Sequence, residues 1–213
     1  MEYERQFIVS NLYETSKSKK SEHTALLPAS TKEFEVYDLD QLKDIFCKNY
    51  RHSEKIKSCD AYYYDQHDYL VIEFKNANHL KLKEYYDEIE IKIIDTHMLL
   101  SETFWKNRKG KDIGKKVCLL VIYNDAMNYG TGVMNISLKL NTMEPIAGDK
   151  ARNSKMPSIF CNDFEFQNAV EKTKNRYEVE FFKEISFIDK QVFEKEYIEA
   201  EYFHALEKWS EMS

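Results

Sequence analysis

The chain has 213 residues, of which 43% are hydrophobic and 14% aromatic, with a formal net charge of -6. That length suits one domain able to bury a core, and the apolar fraction excludes a wholly disordered chain. The acidic balance disfavours a protein that coats nucleic acid, and restricts any contact with nucleic acid to a local patch.

The N-terminal part, residues 1–37, reads as an extension: a short helix or strand and a loop with a polar middle, TSKSKKSEHT. It has no apolar core of the kind a signal peptide carries. No run in the chain is long and apolar enough for a transmembrane helix, so no membrane association is expected. The cysteines Cys47, Cys59, Cys118 and Cys161 are far apart and form no CxxC pair. A zinc knuckle is therefore not expected, and a reducing, cytoplasmic setting is.

Residues 38–51, DLDQLKDIFCKNYR, predict a helix capped by Asp38, with Leu39, Leu42, Ile45 and Phe46 at helical spacing. Two strands follow, CDAYYYD at 59–65 and YLVIEFK at 69–75, joined by a polar turn that suits a hairpin. A long helix is predicted over 78–104, with Asn78 as its cap. Its apolar ladder runs through Leu82, Tyr85, Tyr86, Ile89, Ile93, Thr96, His97, Leu100 and Phe104. After the charged loop KNRKGKDIGKK, the unbroken run VCLLVIY at 117–123 predicts a central strand buried on both faces.

Residues 124–157 read as a long loop, with a strand suggested at 133–140. The end of the chain predicts a helix over 163–174, a strand over 180–187 and a helix from Asp189 to about Trp209. The expected fold is α/β, a mixed central sheet flanked by helices, in one domain. It divides into the extension at 1–37, a core at 38–123 and a loop with a helix–strand–helix extension at 124–213.

The candidate site comes from the hairpin. Alternation along DYLVIEFKN puts Val71, Glu73 and Lys75 on one face, and pairing of the strands brings Asp60 toward Glu73. Two carboxylates can hold Mg²⁺ or Mn²⁺, and a neighbouring lysine can stabilise charge on a phosphate or help deprotonate a water. The competing reading is a cross-strand charge cluster on an exposed sheet face. A second triplet, Glu90-Ile91-Lys92, falls inside the long helix and is expected at the surface or in a pair.

Asp60 followed, after twelve residues, by Glu73-Phe74-Lys75 on an apolar strand resembles the PD-(D/E)XK nuclease superfamily. The order of elements over about 38–123 is also similar to that superfamily's core of a helix, three strands, a helix and a strand. The resemblance implies a restriction-endonuclease-like core and a metal-dependent nuclease acting on DNA or RNA. In it Asp60 and Glu73 would bind the metal and Lys75 would be the catalytic lysine. It further implies an acidic residue from the first helix, for which Asp44 and Glu54 are candidates, and a basic one after the strand, Lys81 or Lys83. Cys59 stands where the pattern often has proline, and RHSEKIKS at 51–58 is a poor first core strand; the segment near Phe34 or VYD is the alternative.

The wider pattern also resembles a family of uncharacterised Firmicutes proteins, through IEFKN, VIYN and FFKEISFIDKQVFEKEYI. A homodimer is a further expectation from the nuclease resemblance. The alternative function is a non-catalytic, nuclease-like fold that binds a protein partner, in an immunity or defence setting.

Other residues carry weaker functional signals. Lys106, Arg108, Lys109 and Lys111 are candidates for phosphate contact against a plain solvated loop. Tyr62, Tyr63 and Tyr64 could stack on a base, but suit ordinary strand positions better. His97 reads as a core or edge histidine. The chain has five glycines and none of the glycine-rich phosphate-cradling motifs, which sets nucleotide-cofactor enzymes aside.

Overall fold

A computed structural model describes residues 8–17, 25–50, 56–65, 69–77, 82, 85–105, 117–125, 164–178 and 181–204. Its centre is a six-stranded sheet in which each strand lies beside the next one in sequence. The strands are β1 (Val9–Asn11), β2 (Glu35–Asp38), β3 (Ala61–Tyr64), β4 (Tyr69–Lys75), β5 (Val117–Tyr123) and β6 (Glu184–Asp189). β1 to β4 pair antiparallel, and β4, β5 and β6 run parallel. The expected α/β class with a mixed, helix-flanked sheet is what the chain adopts.

Parallel neighbours need a crossover connection, and the chain supplies a helix for each. Helix α3 (Tyr86–Glu102) links β4 to β5, and α4 (Phe164–Tyr177) lies between β5 and β6. A sheet that grows in one direction through crossovers of one hand places both helices on the same face. The first long helix, α2 (Leu39–Tyr50), joins them there, and Leu39, Leu42, Phe46, Ile89, Ile93, Leu100 and Tyr177 enter one core cluster. The strands meet them with Tyr37, Tyr62, Tyr64, Val71, Leu119, Val121 and Ile185.

The alternate residues of the same strands, including Val36, Ala61, Tyr63, Ile72, Phe74, Leu120 and Ile122, form the second cluster on the opposite face. That face is covered by the two ends of the described chain. Leu12 of the short helix α1 (Leu12–Thr15), with Leu26 and Leu27, comes from one end. Phe193, Tyr197 and Phe203 come from the other. β5 is thus buried on both faces, as its unbroken apolar run predicts.

Asp38 ends β2 and starts α2, its carboxylate accepting the Gln41 N–H at 2.9 Å, so the expected cap is present. In the hairpin Ala61 is opposite Ile72 and Tyr62 opposite Val71, a register that brings Asp60 toward Glu73.

Two expectations near the C-terminus are corrected. The last strand is Glu184–Asp189 rather than 180–187. Phe181 and Phe182 belong to the turn that ends α4, both donating to the Tyr177 carbonyl. The last helix does not reach Trp209. After α5 (Lys190–Phe193) and a π-helical turn (Glu194–Ile198), the chain reverses at Glu201, whose φ is 52°. The reversal brings Phe203 against Phe34, Tyr63 and Phe193, and the His204 N–H onto the Tyr63 hydroxyl at 2.9 Å. The strand suggested at 133–140 and the cap at Asn78 lie outside the described residues.

Candidate functional site

Asp60 sits immediately before β3, and Glu73 and Lys75 are in the last turn of the pleat of β4. All three side chains fall on the sheet face that carries α2 and α3. Three neighbours clamp the approach to Asp60. Asp95 and Thr96 of α3 accept the backbone N–H groups of Lys57 and Cys59 at 2.7 and 2.8 Å, and Ser58 donates to Asp40 of α2 at 2.9 Å. Asp60 itself donates its N–H to the Ile72 carbonyl, and its Oδ2 accepts the Phe74 N–H at 2.6 Å. The carboxylate is therefore fixed to the strand that bears Glu73.

A side chain not assigned to the site from sequence joins them. Lys92 of α3 places Nζ 2.7 and 2.9 Å from the two oxygens of Glu73, and 3.7 Å from Oδ1 of Asp60. Lys75 Nζ lies 3.0 Å from Glu73 Oε1 and 3.2 Å from Glu88 Oε1 on α3. It also stands 5.1 Å from the Tyr85 ring centre. Glu73 thus takes two ammonium groups, and one ammonium serves both carboxylates. With both carboxylates around one Nζ, they lie well inside the ~8 Å beyond which two carboxylates cannot share an ion.

This overturns the picture of a charge cluster on an exposed sheet face. Glu73 is 1% exposed under α3, and the Lys75 and Lys92 side chains are 11% and 15% exposed. Lys92 lies three residues after Ile89 and four before Thr96, on the apolar stripe of its helix.

Burial pushes the Asp60 carboxyl up to about 8, and the negative charge of Glu73 adds to the rise. Lys92 and the Phe74 N–H oppose it without cancelling it, because Lys92 sits closer to Glu73. Its side chain is 19% exposed, so water from the pocket tempers the shift and leaves its direction. For Lys92, burial works to lower the ammonium's pKa, but Asp60 and Glu73 outweigh it and the value is raised. Lys75 behaves alike, burial opposed by Glu73 with a net rise. Glu88 is held lower: burial works to raise its value, and Lys75 beside it wins. Burial, then Glu73, pushes the Cys59 thiol up, so it stays protonated.

Asp60, Lys75 and Lys92 line a pocket of about 470 Å³ at the carboxyl end of β4, with Glu73 buried behind them. Crevices at that edge of parallel strands are where open α/β sheets bind ligands. Its walls come from the α1 segment, the start of α2, the end of β4 and the start of α3, with Lys17, Asp38, Asp60, Lys75, Tyr85 and Lys92 among the lining residues.

Of the other expected site residues, Asp44 reaches only the pocket's rim, with its side chain 78% exposed and 3.9 Å from Lys43. One turn earlier, Asp40 is the acidic residue of α2 whose charge acts on Asp60. Glu54, Lys81, Lys83, Lys106, Arg108, Lys109 and Lys111 lie outside the described residues. Tyr62, Tyr63 and Tyr64 are at most 1% exposed and belong to the core. His97 packs edge-on against Trp105 and Phe181, and burial lowers its pKa.

Among the described residues, no group of three or more His, Cys, Asp or Glu side chains is placed to hold a metal ion, and no helix is long and apolar enough to cross a membrane. Comparison of the chain with protein-family models, with curated proteins and with solved structures returns no match, so what bears on function is the geometry of the site itself.

Proposed function

We propose that the chain is a metal-dependent nuclease that hydrolyses phosphodiester bonds of DNA or RNA. The observation that supports this is the convergence of Asp60, Lys75 and Lys92 in a pocket at the carboxyl end of β4, around the buried Glu73.

The donor set fits Mg²⁺ or Mn²⁺. Both carboxylates already gather around one positive charge, the Lys92 ammonium, and both offer hard oxygen donors. Mg²⁺ is commonly held by one or two carboxylates and keeps several waters, so two carboxylates beside an open pocket suffice. Asp60 and Glu73 would hold the ion. Bound there, it would activate a water and neutralise charge on the phosphate.

Lys75 would face the phosphate oxygens as an ammonium group, and Lys92, whose Nζ stands between the two carboxylates, would have to turn aside to admit the ion. With its pKa raised, Lys75 stabilises charge and does not act as the base. Glu88 and Tyr85 hold Lys75 in place.

The same reading takes the fold as restriction-endonuclease-like. One feature departs from that pattern: α2 stands between β2 and β3, so only β3 and β4 separate the two long helices.

With Mn²⁺, purified protein should degrade an oligonucleotide, and Lys75→Ala should slow it by roughly a hundredfold or more. Equal rates for the two proteins would overturn the assigned role of Lys75. Crystals soaked in Mn²⁺ should show an anomalous peak between Asp60 and Glu73.

A second reading has its own support. The two carboxylates and two ammonium groups already satisfy one another, as a purely structural network would. The chain would then be a nuclease-like binding protein, in an immunity or defence role. No hydrolysis of DNA or RNA, together with no anomalous peak, would favour it.

A further inference from the structure

We propose that the site accepts a single-stranded nucleic acid and excludes the duplex. The inference rests on the nuclease reading and adds to it the form of the substrate. Two independent observations carry it.

The first is depth. The groups that would act on the phosphate are nearly buried: Glu73 is 1% exposed, Lys75 11%, Lys92 15% and Asp60 19%. A phosphate must enter the pocket to reach them, since metal–oxygen distances are about 2 Å. On three sides the wall is built by secondary structure that packs into the core: the α1 segment, the first turn of α2 and the first turn of α3. One flexible strand can lead a phosphate into such a recess. A duplex holds each phosphate on a stiff rod whose second strand would meet these walls.

The second observation is charge. Beyond the four central groups, the described residues of the wall include Glu14, Asp38, Asp40, Asp44 and Glu88, against Lys17 alone. Lys43 pairs with Asp40 from behind the wall, and acids still outnumber bases. Duplex DNA carries about one negative charge per 1.7 Å of axis, and a protein that binds it needs several lysines or arginines along its track. Among the described residues, these walls offer such a rod no track of that kind. A single strand brings fewer charges to the same length and can gain contact energy from its bases instead. Tyr85, half-buried on the wall beside Lys75, offers an aromatic surface for that contact, which is sequence-tolerant and independent of charge.

The test compares one short oligonucleotide as a single strand and annealed to its complement, each made as DNA and as RNA. In Mn²⁺ the single strand should be cut at least about tenfold faster than the blunt duplex of the same sugar. Equal or faster cutting of the duplex would overturn this inference and leave the nuclease reading standing. No cutting of any of the four would remove both.

Binding gives a second readout, from the fluorescence anisotropy of labelled strands in Ca²⁺. Tyr85→Leu should weaken single-strand binding by about tenfold, while Tyr85→Phe, which keeps the ring, should leave it unchanged. Undiminished binding by Tyr85→Leu would overturn the aromatic contact.

Discussion

The chain contains two Glu-x-Lys triplets, and the secondary structure under each decides what it does. In β4, residues two apart share a face, so Glu73 and Lys75 lie together, 3.0 Å apart, beneath α3. In α3, residues two apart are turned by roughly 200° about the axis, so Glu90 and Lys92 look in opposite directions. Glu90 meets Arg176 of α4 at the surface, 3.3 Å away. Lys92 turns inward and binds Glu73, the acid of the other triplet. A pair written identically in sequence thus becomes one half of a buried site in the strand. In the helix it becomes two unrelated contacts, one of which completes that site.

The sharpest way to break this comparison is to remove the acid that both buried lysines share. Glu73→Leu leaves two ammonium groups beneath α3 with only Asp60 and Glu88 for company. Losing one member of a buried pair costs about 3–5 kcal/mol, and the route to water through the pocket should place this site near the lower figure. Urea denaturation reads the loss. Adding Lys92→Met should restore more than half of it, because replacing both partners with apolar groups of similar volume is close to neutral. A silent single variant would mean that Glu73 and Lys92 do not meet.

Asp60 gives an intermediate effect with a defined sign. Its carboxyl is raised in the folded state to about 8, against about 3.9 unfolded. A raised value means the folded state binds the proton more tightly, so this group's contribution is present below about pH 4 and is lost as pH rises toward 8. Asp60→Asn, which cannot titrate, should therefore match the native protein least at pH 8 and best at pH 4. The native-minus-variant stability should fall by on the order of 1–2 kcal/mol across that window. A difference that rises with pH would mean that Asp60 is held as a carboxylate by Lys92. Excess Mg²⁺, if held as proposed, should flatten the slope by favouring the charged form.

How much of this could be read from residues alone depends on whether a local pattern had one structural meaning. Alternation in DYLVIEFKN and the unbroken run VCLLVIY each had one, and the hairpin, the Asp60–Glu73 approach and the buried central strand follow from them. The capping aspartate before α2 did too. Phe181 and Phe182 had two meanings. They are as suitable for a strand as for a hydrophobic turn, and only the Tyr177 carbonyl, which takes both of their N–H groups, decides.

The sequence candidates for an acidic residue of the first helix are Asp44 and Glu54; that Asp40, one turn before Asp44, acts on Asp60 instead depends on how close the helix starts to the sheet edge, a tertiary fact. Lys92 was obscured for a different reason. A charged residue on a helix is usually solvated, so its place in the Ile89–Thr96 stripe carries meaning only once a buried carboxylate is known to face it.

The smallest effect is the most telling control on the comparison. Glu90 heads the same Glu-x-Lys triplet as Glu73, but its side chain is 21% exposed, its partner Arg176 is 59% exposed, and Tyr177 hydrogen-bonds it as well. An exposed pair gains little, because water screens the attraction and two long side chains lose freedom to hold it. Glu90→Ala should therefore cost about 1 kcal/mol, most of it the Tyr177 hydrogen bond, and added salt should remove only the Arg176 share. Lys92 should be indifferent to the change, since its charge is held by Glu73 and Asp60 and not by its sequence neighbour. A loss for Glu90→Ala comparable to that of Glu73→Leu would show the helical triplet acting as one unit, and would require Lys92 to divide its charge between the surface and the pocket.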